Sequence, residues 1–143
     1  MWQTWFCGAR FLATRLRDYG IRLTGYVPTY KLRTVLYRWL FRMKIERGVK
    51  IEGGCQFFGP SRITIGEGSV VNYGVVLDGR FPLTIGKHVS ISLHTIVLTL
   101  EHDLADPAFT SVGAPVSIGA RAFIGARAII LPGVNIGEGA GAD

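Results

Sequence analysis

The chain has 143 residues, 48% of them hydrophobic and 18% charged, a balance that excludes disorder and fits one domain of ordinary size. Its net charge of +6 is unevenly placed: residues 1–50 hold eleven of the sixteen Lys and Arg against only Asp18 and Glu46, so that segment is +9 and the remainder −3. A nucleic-acid binder would carry basic residues through its body, so no nucleic-acid partner is expected. No apolar run approaches the ~18–20 residues of a membrane span. Arg10, Arg15 and Arg17 interrupt the first apolar pattern and no small-residue cleavage site follows, so a signal peptide is not expected either.

In chain order, the first element is an amphipathic helix. Trp2, Trp5, Phe6, Ala9, Leu12, Ala13 and Leu16 recur at three- and four-residue spacing, and Gly20 is a plausible stop. After Gly25 and Pro28 a second helical pattern runs through Leu32, Val35, Leu36, Trp39, Leu40 and Met43, with Lys31, Arg33, Arg38 and Arg42 on the remaining faces. Residues 1–44 thus read as a basic, amphipathic helical segment. Two readings stand side by side: helices that pack on the domain or a neighbouring subunit, and an anchor on an anionic membrane surface.

From Ile45 the chain reads in sixes. Ile118, Ile124, Ile130, Ile136 and Ala142 form a strict hexad, with Ala122, Ala128, Val134 and Ala140 four places after the first four of them. Gly119, Gly125 and Gly137 follow the aliphatic residue and are expected to let the chain turn at little steric cost. Earlier, the hexad sits inside a period of twenty that aligns Ile45 with Ile65 and Ile85, Ile51 with Val71 and Ile91, and Phe57 with Leu77 and Val97. Three short strands and three corners then make one triangular coil. Coils stack at about the ordinary interstrand spacing, and the first hexad position points inward. Residues 45–143 are expected to form about five such coils, the last incomplete. Cys55 falls inside, so a bridge to Cys7 is not expected, and two free thiols fit a reducing compartment.

Three stretches carry a resemblance: Leu98-Thr99-Leu100-Glu101-His102-Asp103, Pro115-Val116-Ser117-Ile118-Gly119, and Ile130 to Gly137. With the hexads, they resemble the hexapeptide-repeat acyltransferases, closest to the maltose/galactoside and polysaccharide O-acetyltransferases. The resemblance implies an all-β fold, a left-handed parallel β-helix behind the N-terminal helical segment. It further implies a homotrimer with sites between protomers, acetyl-CoA as donor with no metal, and a sugar or lipid-linked sugar as acceptor. A cytoplasmic location, peripheral to the membrane if the first helices anchor there, goes with it.

The same resemblance assigns roles. His102 matches the general base, taking the proton of a sugar hydroxyl as its oxygen attacks the thioester. Asp78, Glu101 and Asp103 are the acids available to orient it, and the residues alone do not choose among them. Asn72, thirty residues before His102, matches the acceptor-contacting Asn, with Asp78 and Arg80 nearby. Its alternative is a corner Asn in a left-handed turn. Phe123, Gly125 and Ala126 match the positions along the pantetheine arm, Phe123 standing where the family often has Trp. The family continues beyond Gly141-Ala142-Asp143 into a further segment, so the chain reads as truncated. Two alternatives follow: a non-catalytic trimeric scaffold, and a metal enzyme like the γ-class carbonic anhydrases, which needs His88, His94 and His102 to converge.

Overall fold

A computed structural model describes the backbone of residues 3–142 and the side chains of 12–141. The apolar pattern from Trp2 to Ala9 and the thiol of Cys7 lie outside the described side chains. Helix α1 (Gln3–Thr24) and helix α2 (Tyr30–Trp39) precede the solenoid. Gly20 does not end α1, which runs on to Thr24; the chain turns at Gly25, whose N–H still bonds the Arg22 carbonyl. A mid-helix glycine lowers helical stability by only about 1 kcal/mol against alanine, less than continued packing supplies.

The first coil holds β1 (Lys44–Ile45), β2 (Lys50–Ile51) and β3 (Gln56–Phe58). The second holds β4 (Ile63–Ile65), β5 (Val70–Val71) and β6 (Val76–Asp78), and the third β7 (Leu83–Ile85), β8 (Ser90–Ile91) and β9 (Ile96–Val97). A hairpin of β10 (Leu100–His102) and β11 (Ser111–Gly113) then leaves the body. Regular coiling resumes with β12 (Val116–Ile118), β13 (Phe123–Ile124) and β14 (Ile129–Ile130), then β15 (Asn135–Ile136) and β16 (Gly141–Ala142). Strands stack into three parallel sheets: β1-β4-β7-β12-β15, β2-β5-β8-β13-β16 and β3-β6-β9-β14. The hexad register holds: Ile45 stands over Ile65, Ile85 and Ile118, and Val71 over Ile91 and Ile124. Ile65, Ile85, Val71, Ile91, Leu77, Val97 and Ile124 are buried in one continuous core.

The corner glycines do two separate jobs. At two of the three corners the left-handed residue comes three places after the inward aliphatic, at Gly48, Gly68, His88 and Arg121, and again at Gly54, Gly74, His94 and Arg127. The glycine directly after the aliphatic is there for another reason. A Cβ on Gly66 would lie 2.6 Å from the Gly86 backbone, and one on Gly86 would lie 2.7 Å from the Ala120 nitrogen. These positions have no side chain because the next coil passes too close, a constraint different from the easy turning expected of them.

The helices close the first coil, whose outer edge would otherwise expose unpaired backbone. They do so with a face the apolar pattern does not mark. Arg33 and Tyr37 are the buried residues of α2, while Leu32, Val35, Trp39 and Leu40 face solvent. The Arg33 guanidinium donates to the Ile51 carbonyl from Nε at 3.1 Å and Nη2 at 3.0 Å, and to the Val27 carbonyl from Nη1. It thereby supplies donors that a preceding coil would have supplied. Tyr37 packs edge-on against Phe57 with ring centroids 4.8 Å apart.

Candidate functional site

His102 ends β10, at the root of the one loop that leaves the described coils. The hairpin pairs Leu100 with Gly113, Glu101 with Val112 and His102 with Ser111. Gly113 allows that approach, because a Cβ there would sit 2.2 Å from the Phe81 ring. Thr99 anchors the root: its hydroxyl accepts the Phe81 N–H at 2.9 Å, and its own N–H goes to Asp78 Oδ2 at 3.1 Å.

The exposed His102 ring is held by Nδ1, 2.7 Å from the Phe109 carbonyl oxygen. A carbonyl only accepts, so Nδ1 carries the proton and the lone pair of the neutral ring is on Nε2. Phe109 adopts a left-handed backbone, φ 48°, which a non-glycine residue takes only when its surroundings demand it. Asp106 makes that demand. Its Oδ1 accepts the Ala108 N–H at 2.9 Å, and its Oδ2 accepts the Thr110 N–H at 3.3 Å and the Thr110 hydroxyl. Asp103 starts the loop in the same way, Oδ1 taking the Ala105 N–H at 2.9 Å. The Thr110 and Ala108 donors hold the Asp106 carboxyl below the usual carboxylate range.

Two of the three acids considered for orienting His102 are engaged elsewhere within this chain. Asp78 has a fully buried side chain and binds Arg80 through Nε at 2.9 Å, Nη2 at 2.9 Å and the backbone N–H at 2.9 Å. Burial works to raise its pKa, but the Arg80 and Thr99 donors outweigh that and hold it below the ordinary value. Asp103 serves its own turn, and Glu101 is an exposed neighbour of His102. Among the described residues the ring's partner is a backbone carbonyl, not a carboxylate. Asx turns at Asp103 and Asp106 were readable as Asp with an N–H two residues on. Which carbonyl they deliver to His102 depends on the hairpin register.

Asn72 occupies a different corner. It follows β5, on the turn to β6, whereas His102 lies beyond β9 on the way to β12. It is not the left-handed residue of its corner, a place Gly74 takes at φ 72°. Its Nδ2 donates to the Ile91 carbonyl at 2.8 Å, and no described donor reaches Oδ1. Gly125 and Ala126 stack on the same corner two coils further on, and the Gly125 carbonyl bonds the buried Thr95 hydroxyl at 2.9 Å. Phe123, 48% exposed, stands just before them on β13. One chain thus carries two separate groups: Asn72, Phe123, Gly125 and Ala126 around one corner, and His102, Asp78 and Arg80 at the next. His88 sits on the corner between β7 and β8, and His94 on the corner that also carries Asn72 and Gly125, so the three His of the metal alternative do not converge within one chain.

Residues 115–141 match the family described as hexapeptide repeat of succinyl-transferase. Over 111 residues the chain is 34% identical to WcaF of Escherichia coli K12, a protein assigned to colanic acid biosynthesis as an acetyltransferase; the match takes in 73% of this chain and 61% of that one. The chain therefore spans about three fifths of the length of its curated relatives, the Shigella flexneri WcaF included, at 61%. The fold superposes on the hexapeptide-repeat acetyltransferase VCA0836 of Vibrio cholerae with a TM-score of 0.76 at 26% identity, covering 94% of this chain and 85% of that one. A maltose O-acetyltransferase of Clostridium difficile 630 superposes with a TM-score of 0.76 at 25% identity, covering 87% and 68%. The Vibrio protein complexed with acetyl coenzyme A gives 0.67 at 25% identity, covering 90% and 84%. By its matched repeats and its superposition, the chain is a hexapeptide-repeat β-helix similar to these acetyltransferases.

Proposed function

We propose that the chain is one protomer of an acetyl-CoA-dependent O-acetyltransferase acting on a hydroxyl of a sugar or polysaccharide precursor. The carrying observation is the Nδ1–H of His102 on the Phe109 carbonyl at 2.7 Å, which leaves Nε2 ready to take a proton. Nε2 accepts the acceptor's hydroxyl proton as that oxygen attacks the thioester carbonyl. The tetrahedral oxyanion rests on a backbone N–H at a corner. It collapses with loss of CoA thiolate, and the imidazolium returns the proton to that sulfur. WcaF, assigned to polysaccharide synthesis, and the clostridial maltose enzyme support a sugar acceptor. The Vibrio protein bound to acetyl-CoA supports the donor.

The separation of the two residue groups supports a shared site. Around a threefold axis, the corner bearing His102 on one copy meets the corner bearing Asn72, Gly125 and Ala126 on the next. Asn72 Oδ1 then accepts from a sugar hydroxyl, and the small Gly125 and Ala126 lie beside the pantetheine arm with Phe123 as an apolar wall. Acetyl-CoA is made and used in the cytoplasm, which is where this reading puts the protein. Calorimetric titration with acetyl-CoA, followed by a screen of sugar acceptors, tests the assignment. Saturable heat and acetylated sugar are expected. No heat at millimolar acetyl-CoA would leave a β-helix scaffold without this activity.

A further inference from the structure

Both N-terminal helices turn apolar side chains away from the body they pack on. On α1, Leu12, Leu16, Tyr19 and Leu23 follow one another at spacings of four, three and four. They form one stripe, about 180° round the helix from Ile21, which is buried against the solenoid. The four are 59%, 64%, 63% and 52% exposed. On α2, Leu32, Val35 and Trp39 are likewise 51%, 48% and 78% exposed, standing apart from buried Arg33 and Tyr37. Two such stripes on adjacent helices are more than scattered surface leucines.

Charge selects what covers them. Arg22, Lys31, Arg42 and Lys44 are exposed on the same segment, within a stretch of eleven basic and two acidic residues. A second copy laid on this face would bring like charge against like charge. An anionic surface complements it, and the pairing of leucine and tryptophan with arginine and lysine suits the boundary between acyl chains and phosphates. Among the described residues no helix is long and apolar enough to cross a membrane. We propose that the two helices lie along an anionic lipid surface, Leu12, Leu16, Leu23 and Trp39 entering it and the basic side chains meeting its phosphates. The docking is independent of the acetyl-transfer assignment.

The test is co-sedimentation of the full chain with vesicles of phosphatidylglycerol and phosphatidylcholine, or of phosphatidylcholine alone, at low and high salt. Most of the chain should pellet with the anionic vesicles at low salt. Recovery should fall several-fold on neutral vesicles and at high salt, where the Debye length shrinks to roughly 3–4 Å. The double variant Leu16→Glu, Leu23→Glu changes only exposed residues, so its circular dichroism and melting curve should match the parent while its bound fraction drops about tenfold. Recovery of the parent in the supernatant with both vesicle types overturns the proposal. So does vesicle binding that survives the double variant, or a double variant that loses oligomeric mass in sedimentation velocity, which would make the stripe a contact between copies.

Discussion

Single side chains set the chemistry, and two of them act through a third atom. Removing the imidazole in His102→Ala should lower acetyl transfer by about 10²–10⁴-fold. The melting curve should not move, because His102 is exposed and outside the core. Turnover near the parent's would show another group to be the base. Asp106→Asn is the sharper variant. It keeps the size of the side chain but weakens the acceptor that holds Thr110 and Ala108, and so loosens the Phe109 carbonyl under Nδ1. We expect kcat to fall more than KM rises, with no change in melting temperature. A parent-like kcat would remove Asp106 from the positioning of His102. Asp78 is the structural counterpart. Its Arg80 and Thr99 partners depress its folded pKa, so its contribution is complete above the unfolded pKa near 4 and is lost as pH falls through the lower folded value. Asp78→Ala strands the Thr99 and Arg80 backbone donors and should cost about 2–4 kcal/mol, read by denaturant melts at neutral pH. The difference from the parent should shrink in acid. Burial likewise pushes the Cys55 thiol up to about 11, so it stays protonated between the coils with its Sγ on the Asn72 carbonyl at 3.2 Å.

At the scale of the element, the coil is the unit and the corner decides whether coils stack. Ile124 is fully buried between Ile91 and Ala142 in the register of its sheet. Ile124→Asp should prevent folding, because an unpaired buried carboxylate costs several kcal/mol out of a typical 5–15. A soluble variant with an unchanged melting curve would mean that this column is not the core. Gly66→Ala probes the other constraint. Its new methyl would meet the Gly86 backbone, which cannot rotate away as a side chain can. We expect a loss of about 1–3 kcal/mol in chemical denaturation. No loss would show that the coils separate more readily than their hydrogen bonds suggest. The inward hexads were legible because a strict period leaves one solution for burying them. The purpose of the following glycine was not, since close approach comes from the neighbouring coil and not from the local chain. The apolar faces of α1 and α2 left two readings open for a related reason. Periodicity identifies an amphipathic helix but not what its apolar face meets. Here the carbonyls left over at the first coil's edge draw in Arg33, and the leucines are turned outward.

For the whole molecule, the prediction concerns assembly. One chain separates Asn72, Gly125 and Ala126 from His102 by a full sheet face, so a working site under the proposed function requires copies side by side. Sedimentation velocity at micromolar concentration should give the mass of three 15.7 kDa chains. A monomer active in acetyl transfer would refute the shared site. The sequence by itself determined the solenoid, its register, its coil count and the excursion after His102, because a six-residue period admits one way to hide its aliphatic column. It also singled out His102, Asn72 and Gly125 through resemblance. Only the tertiary structure decided that Arg33 is buried, that Asp78 belongs to Arg80 and Thr99, and that Phe109 gives its carbonyl to His102. Each of these depends on which backbone groups stacking leaves unpaired, and that is settled between coils distant in sequence.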